Sequence, residues 1–341
     1  MNQPSALFYS RNIIGKVSRT FAIGINLLRG DLGNAVLTAY LLARILDTIE
    51  DDNFTPVQQR AELIALFIEC LTKPEKIEYF VQQSLMTHGE AAHIELLHNS
   101  AKIFELFNRL PKKSAAIIQH WIAIMANGMQ TFTLRYPNGI RIQTLEEYHQ
   151  YCYFVAGTVG HLLTELFYEH SPWINAEQFT QLLKNAEAFG EALQTINILK
   201  DIATDAEKEN EIFIPEEVLR AQGSSQIHLM QEEWRSQNKA ALLTVIDLAQ
   251  SHLERAAEYF YALPKMAIRI RLFCWLPLIY AEATLRDIKQ TDAMLQPNGQ
   301  VKISRKEIHS LLWASFPAVL SNKLSTWLIK KVRQRPYYHG I

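Results

Sequence analysis

Three carboxylates in residues 40–52, YLLARILDTIEDD, are spaced for chemistry: Asp47, Glu50 and Asp51 stand at i, i+3 and i+4. At helical pitch these positions share one face, while Leu41, Leu42, Ile45 and Leu46 cover much of the remainder. Like charges so placed repel, and oxygen ligands without His or Cys suit Mg²⁺ rather than zinc. Magnesium in turn suggests phosphate. A second set, Asn197, Asp201 and Asp205 in NILKDIATD, repeats the i, i+4 spacing with an amide one turn earlier and an aliphatic dressing from Ile196, Ile198, Leu199 and Ile202. Either cluster taken alone also reads as a solvated helix face. Each has a cation beside it, however: Arg44 lies three residues before Asp47, and Lys200 adjoins Asp201. That is the pattern expected where metal and basic side chains share the neutralisation of one diphosphate.

The elements that must position these groups are helical. Residues 56–71, 114–133, 147–167, 176–204, 239–262 and 268–289 carry apolar side chains at three- and four-residue spacing, and alternating strand patterns are few. Thr55-Pro56 reads as a cap followed by a proline at the first helical position, Lys73-Pro74 as a stop, and residues 136–139 and 296–299, YPNG and QPNG, as turns. The expectation is an all-α protein, one large helical bundle of ten or more helices. With 341 residues and 48% hydrophobic content the chain can bury a large core. It contains no Pro/Gly/Ser-rich linker or shift of composition, so residues 1–341 read as a single domain.

Composition also excludes. A formal net charge of −1 and a pI near 6.8 supply no basic footprint for nucleic acid. Three widely separated cysteines, Cys70, Cys152 and Cys274, fit no disulfide framework and suit a reducing cytoplasm. The N-terminus lacks a signal-peptide core, and no run of 18 apolar residues suggests a spanning helix. Neither a P-loop nor a GxGxxG fingerprint occurs, and the eleven histidines, His93 and His98 among them, read as surface or satisfied core residues.

Four further stretches admit two readings. Ser18-Arg19-Thr20-Phe21 is a helix start with a Ser cap, or a phosphate grip built on the Arg fork. Residues 151–160, YCYFVAGTVG, form a core helix whose Ala156, Gly157 and Gly160 allow the close approach of a neighbour or a ligand. The basic stretch 301–306, VKISRK, is on its own residues a polar loop before the next helix, its other reading, a contact with cofactor phosphates, being one that only a family resemblance implies. Residues 311–341 place Trp313, Phe316, Trp327 and Tyr337 among Lys323, Lys330, Lys331, Arg333 and Arg335, which suits either an anionic membrane surface or a last core helix with a basic tail.

Taken together and in order, SRTF, YLLARILDTIEDD, YCYFVAGTVG and QTINILKDIATD resemble the squalene/phytoene synthase family from about residue 10 to about residue 310, and within it the squalene-forming branch. The resemblance implies an isoprenoid-synthase-type helical fold with a central apolar cavity. It also implies head-to-head joining of two farnesyl diphosphates through presqualene diphosphate to squalene, with Mg²⁺ and NADPH. Carried over by motif, Asp47, Asp51, Asp201 and Asp205 would hold Mg²⁺ on the diphosphates, assisted by Asn197 and Gln194. Arg19, Arg44 and Lys200 would contact phosphate oxygens, with Ser18 and Thr20 lining the same end. Tyr151 and Tyr40 would stand near the reacting centre, Tyr151 handling a proton, and Phe21 and Phe273 would stabilise carbocations. Lys302 and Arg305 would meet the NADPH phosphates.

Two departures accompany the resemblance. DIATD lacks the extra acid that commonly precedes its last Asp, and Glu211 stands where relatives usually carry Arg, so that one phosphate contact is either lost or supplied by Lys208. Phytoene or dehydrosqualene synthesis without NADPH, or a non-catalytic prenyl-lipid-binding role, are the alternatives. The expected setting is cytoplasmic with peripheral membrane contact; the sequence says nothing of oligomeric state.

Overall fold

The computed structural model describes residues 5–336, apart from the side chains of Arg19 and Thr20. Among these residues no strand forms; a single bridge joins Arg141 and Ile212. Contacts gather in two compact units, one from the N-terminus to Asn138 plus His161–Pro172, the other Gly139–Gly160 plus the chain from Trp173 onward.

The first unit holds α1 (Ala6–Val17), α2 (Arg19–Leu27), α3 (Gly30–Glu50), α4 (Val57–Cys70), α5 (Ile77–Ser84), α6 (Ala91–His98), α7 (Ser100–Asn108) and α8 (Lys112–Arg135). Its core helix is α3, which contacts α1, α6, α7 and α8 and buries Leu37, Leu41, Leu42, Ile45, Leu46 and Ile49. By length and composition α3 would also pass for a membrane span, but two thirds of its most apolar window is buried in the protein (67%). The rings of Phe67, Phe80 and Phe104 close the far side at centroid distances of 5.4–6.0 Å. Where α3 ends, the Asp52 side chain accepts from the amides of Phe54, Thr55 and His88 and from the Thr55 hydroxyl. Thr55 is thereby committed to Asp52, and Pro56 itself takes the N-cap position of α4, one residue earlier than its sequence suggests.

The second unit contains α9 (Leu145–Cys152) and a π-helical turn, Tyr153–Gly157, that runs into α10 (Thr158–His170). It continues through α11 (Ala176–Thr204), a second π turn (Asp205–Glu209), α12 (Glu216–Ala221), α13 (Arg235–Ala262), α14 (Ile268–Ile288), α15 (Arg305–Ala318) and α16 (Asn322–Arg333). The central helix is α11, started by a reciprocal capping box between Asn175 and Gln178. It packs against α13, α14 and the Tyr153–Gly157 turn. The sequence prediction for α11 has the same bounds; those for α4, α8, α13 and α14 differ from the helices by a few residues at most. The unit boundaries carry no linker, because one of them falls inside α10.

Two devices hold the second unit. First, a Cβ at Gly160 would overlap the carbonyl oxygen of Ala186, and one at Gly190 would overlap that of Ala156, so the 156–160 segment and α11 meet backbone to backbone. The neighbour that the small residues admit here is α11. Second, Arg271 of α14 is fully buried and donates to the carbonyls of Phe260, Leu263 and Val319 and to Asn322 Oδ1, with its guanidinium 4.2 Å from the Phe260 ring centre. One cation thus satisfies the C-terminal carbonyls of α13 and the end of α15. The three cysteines are buried free thiols.

Glycine substitutions of opposite sign test this packing. Gly190→Ala should destabilise by about 1–3 kcal/mol or more, because the new methyl meets backbone that cannot rotate away. Gly15→Ala, in α1 with nothing within 4 Å, should stabilise by up to about 1 kcal/mol through helix propensity alone. Urea midpoints of the two variants check the pair; equal effects would sink the close-packing account.

Candidate active site

In the first unit a row of side chains runs from α2 along α3. Ser18 caps α2, its Oγ accepting from the Phe21 amide at 3.3 Å, so the helix-start reading of SRTF holds for Ser18. Phe21 packs on Tyr40 with centroids 5.4 Å apart. One turn on, Arg44 donates from Nη2 to the Tyr40 hydroxyl at 3.2 Å, and Nη1 stands 3.2 Å from Asp47 Oδ2. Aromatic ring, phenol, guanidinium and carboxylate therefore follow one another on a single face. The Arg19 and Thr20 side chains lie outside the described residues.

Burial and charge set the acids apart. Asp47 keeps 30% of its side chain exposed; burial still raises its carboxyl above the usual range, opposed by Arg44 and His93. Glu50 is only 3% exposed. Burial, then the charges of Asp51 and Asp47, push it well above the ordinary value, and Oε1 has no hydrogen-bond partner. Asp51 closes α3 at the exposed end, its amide bonded to the Asp47 carbonyl. For Arg44, burial opposes the charged form, but Asp47, Tyr40 and Asp51 outweigh it and raise the pKa. His93, which the sequence left as an ordinary residue, is in electrostatic reach of Arg44 and Asp47; burial and Arg44 hold it below its usual value, hence neutral at pH 7.

In the second unit the acidic end of α11 is arranged alike. Lys200 pairs with Asp201 Oδ2, while Asp201 Oδ1 accepts from Gln300 Nε2 at 2.8 Å. Asn197 is exposed; Gln194, Lys200, Asp201 and Asp205 are half-buried. The Asp205 carbonyl accepts from the Glu211 amide at 2.8 Å. Glu209 is a further acid near Asp201, raised by burial first and then by that neighbour; it stands four residues after Asp205 at the end of the π turn, a continuation of the i, i+4 spacing that the sequence reading leaves out. The 298–301 loop lies along this end of the helix, with the Asn298 amide on Glu207 and the Val301 amide on the Lys200 carbonyl. Lys302 and Arg305 follow, both exposed. Tyr151 is 6% exposed and stacks on Phe213 at 5.0 Å. Phe273 is buried in α14, a turn before Pro277. Glu211 is 4% exposed and within electrostatic reach of Arg141, which donates to the Asn210 carbonyl.

Both clusters offer oxygen donors only, and a carboxylate has about four lone-pair sites of which Asp47 and Asp201 spend one or two on cations and amides. The donor chemistry fits Mg²⁺. A helical fold of the isoprenoid synthase type with two such clusters defines the class. The chain belongs to the squalene/phytoene synthase family, whose model matches residues 14–307. It is similar to squalene synthase from Dictyostelium discoideum, 30% identical over 80% of this chain and 62% of that one. The squalene synthase of Ganoderma lucidum is also 30% identical, over 89% and 65%. The chain thus spans less than two thirds of the length of these curated relatives. The solved structure of TcSQS with the ligand BPH1237 superposes with a TM-score of 0.83 at 26% identity, covering 96% of this chain and 90% of that one.

The buried acid gives a pH test. Because the folded-state pKa of Glu50 is raised, its cost is absent below the unfolded value of about 4.3 and full above the raised one. Glu50→Gln should therefore be more stable than wild type by about 1–3 kcal/mol at pH 8, the gap closing as pH falls toward about 4. Denaturation at several pH values measures it; a gap independent of pH would refute the buried-charge reading.

Proposed function

We propose that this protein condenses two farnesyl diphosphates head to head through presqualene diphosphate to squalene, with Mg²⁺ and NADPH. The observation that carries the reading is the repeated arrangement of a cation beside an i, i+4 acid pair: Arg44 on Asp47 with Asp51, and Lys200 on Asp201 with Asp205. The donors of each pair are carboxylate oxygens, which suit a divalent cation shared with a diphosphate. Bound Mg²⁺ would supply charge neutralisation at the departing diphosphate.

The chain's own groups do the rest. Arg44 and Lys200 orient phosphate oxygens by charge-assisted hydrogen bonds. Phe21 and Tyr40 lie along the same row as Arg44 and present π faces that favour a carbocation. Tyr151, dry and stacked on Phe213, is suited to hold or move a proton at its phenol oxygen. Lys302 and Arg305 present exposed cations next to the segment bonded to Lys200, a donor set that fits the phosphates of NADPH. Asn197 and Gln194 add neutral oxygens on the turns before the acid pair.

Asp47→Asn and Asp201→Asn should each lower turnover of farnesyl diphosphate roughly 100-fold or more with the far-UV spectrum unchanged. Hydrocarbon analysis with and without NADPH decides the product. Squalene only with the reductant is the expected outcome; dehydrosqualene in both tubes, or phytoene from the C20 substrate alone, would move the protein to the carotenoid-forming branch. Folded protein that releases no diphosphate would make it a prenyl-lipid binder.

The proposal extends to a membrane surface, where a C30 product must go. Helices α15 and α16 bury Leu311, Leu328, Ile329 and Val332 yet leave Trp313, Phe316, Leu320, Leu324 and Trp327 exposed beside Lys323, Lys330 and Lys331. Arg333 does not join them, since it is bound to the buried Glu282 by two hydrogen bonds of 2.7 and 2.8 Å. Tyr337 lies outside the described residues. Flotation with anionic liposomes at low salt should carry the protein up, and Trp313→Ser with Trp327→Ser should abolish it; a wild type that stays at the bottom would remove the surface contact.

A further inference from the structure

Apart from the acid pairs, the second unit brings together three ligand-type side chains from three helices: His149 of α9, Glu191 of α11 and His252 of α13. One donor atom from each lies within 4.8 Å of the other two. No short motif links them, since 42 positions separate the first two and 61 the last two. Glu191 and His252 are 3% and 4% exposed, and His149 lies nearer the surface. Their mutual contacts are poor for groups so deep. His252 Nε2 stands 3.5 Å from Glu191 Oε2, at the outer limit of hydrogen bonding, and His252 Nδ1 is buried with no hydrogen-bond partner. The His149 and His252 rings meet edge to face, at 64° and 5.9 Å.

Buried polar groups are ordinarily paired, and a cluster of donors pointed at one another without short bonds leaves room for something that accepts all three. Zinc does so: Zn–N and Zn–O distances of about 2.0–2.2 Å in tetrahedral geometry place ligand atoms about 3.3–3.5 Å apart. The Glu191–His252 separation is already of that size, and a side-chain rotation at the more exposed His149 closes the rest. We infer that His149, Glu191 and His252 form a second metal site that takes a divalent transition metal, Zn²⁺ by its two-imidazole, one-carboxylate donor set, with water in the fourth position. The site is distinct in chemistry from the all-oxygen acid pairs, which suit Mg²⁺. It would tie α9 to α11 and α13, and Tyr151 is two residues beyond His149 on the same helix. The protonation state agrees. Burial, with His149 and Arg255 adding positive charge, holds His252 down to about 4, so it is the neutral, ligating form at pH 7. Burial and the Glu187 charge push Glu191 up to about 7, so a cation displaces its proton at little cost. The inference does not depend on the proposed reaction.

The test uses the full-length protein, stripped with chelator and kept in millimolar Mg²⁺ so that the acid pairs are saturated. Titration with ZnCl₂, followed by desalting and elemental analysis, should give one equivalent per chain and a rise in melting temperature. Co²⁺ in its place should give the absorption of a tetrahedral N/O site. Glu191→Gln and His252→Gln should weaken zinc at least about 10–100-fold. Should these buried substitutions unfold the chain, His149→Gln, at a more exposed position, carries the same comparison. Asp47→Asn combined with Asp201→Asn should leave zinc binding as it was. No stoichiometric zinc, or zinc retained in the His149 variant and lost in the double aspartate variant, would overturn the assignment.

Discussion

The second unit depends on two backbones meeting without side chains between them. Where α11 passes the 156–160 segment, glycines at 160 and 190 let each chain rest on the other's carbonyl. The distance this sets is smaller than any pair of side chains would allow, and everything carried on either element inherits it. On one side lie Tyr151 and the turn that follows it; on the other lie Gln194, Asn197, Lys200, Asp201 and Asp205, further along a helix whose next turns bury Ile198, Leu199 and Ile202. A functional group gains precision when it rides on a rigid element, and here the element is fixed by contact at van der Waals range. The π turn at Tyr153–Gly157 widens the backbone just where that contact begins.

Charge is handled differently in the two acidic helices. In α3, Glu50 is sealed inside while Asp47 keeps part of its side chain exposed. In α11 the acids stay half-buried, and the crowding is relieved by Lys200, by the Gln300 amide and by a loop that folds back along the helix. Stability is spent in the first case to concentrate negative potential, a cost that natural sites bear when a cation or substrate repays it.

Much of this was legible in the residue order, for identifiable reasons. Helical period and capping residues determine α11 so strongly that its predicted and observed bounds coincide; the acid clusters are local patterns too, but Glu50 turns into the core instead of joining Asp47 and Asp51, and Asp205 falls in the π turn that follows α11. Pro56 was misplaced by one position because the Thr55 hydroxyl was claimed by Asp52, a choice made by the turn rather than by the dipeptide. His93 approaches the acids of α3 from a separate helix, α6, and Gln300 reaches Asp201 from a loop 99 residues downstream. The assembly of His149, Glu191 and His252 has the same origin: residues on three helices share a site only through packing, which no spacing rule encodes. Nor could a unit boundary inside a helix leave a compositional trace.

Arg271 has a consequence for the order in which the protein is made. Its five donors are shared among carbonyls at the end of α13, the carbonyl of Val319 and the amide oxygen of Asn322. Until residues 319–322 have been synthesised and docked, α14 would have to bury a guanidinium with half its acceptors missing, at a penalty of several kcal/mol. The helices that precede it therefore cannot reach their final packing as an N-terminal fragment. The second unit becomes a structure completed from its C-terminal end, and a chain that stopped within α15 would leave Arg271 without the acceptors at Val319 and Asn322.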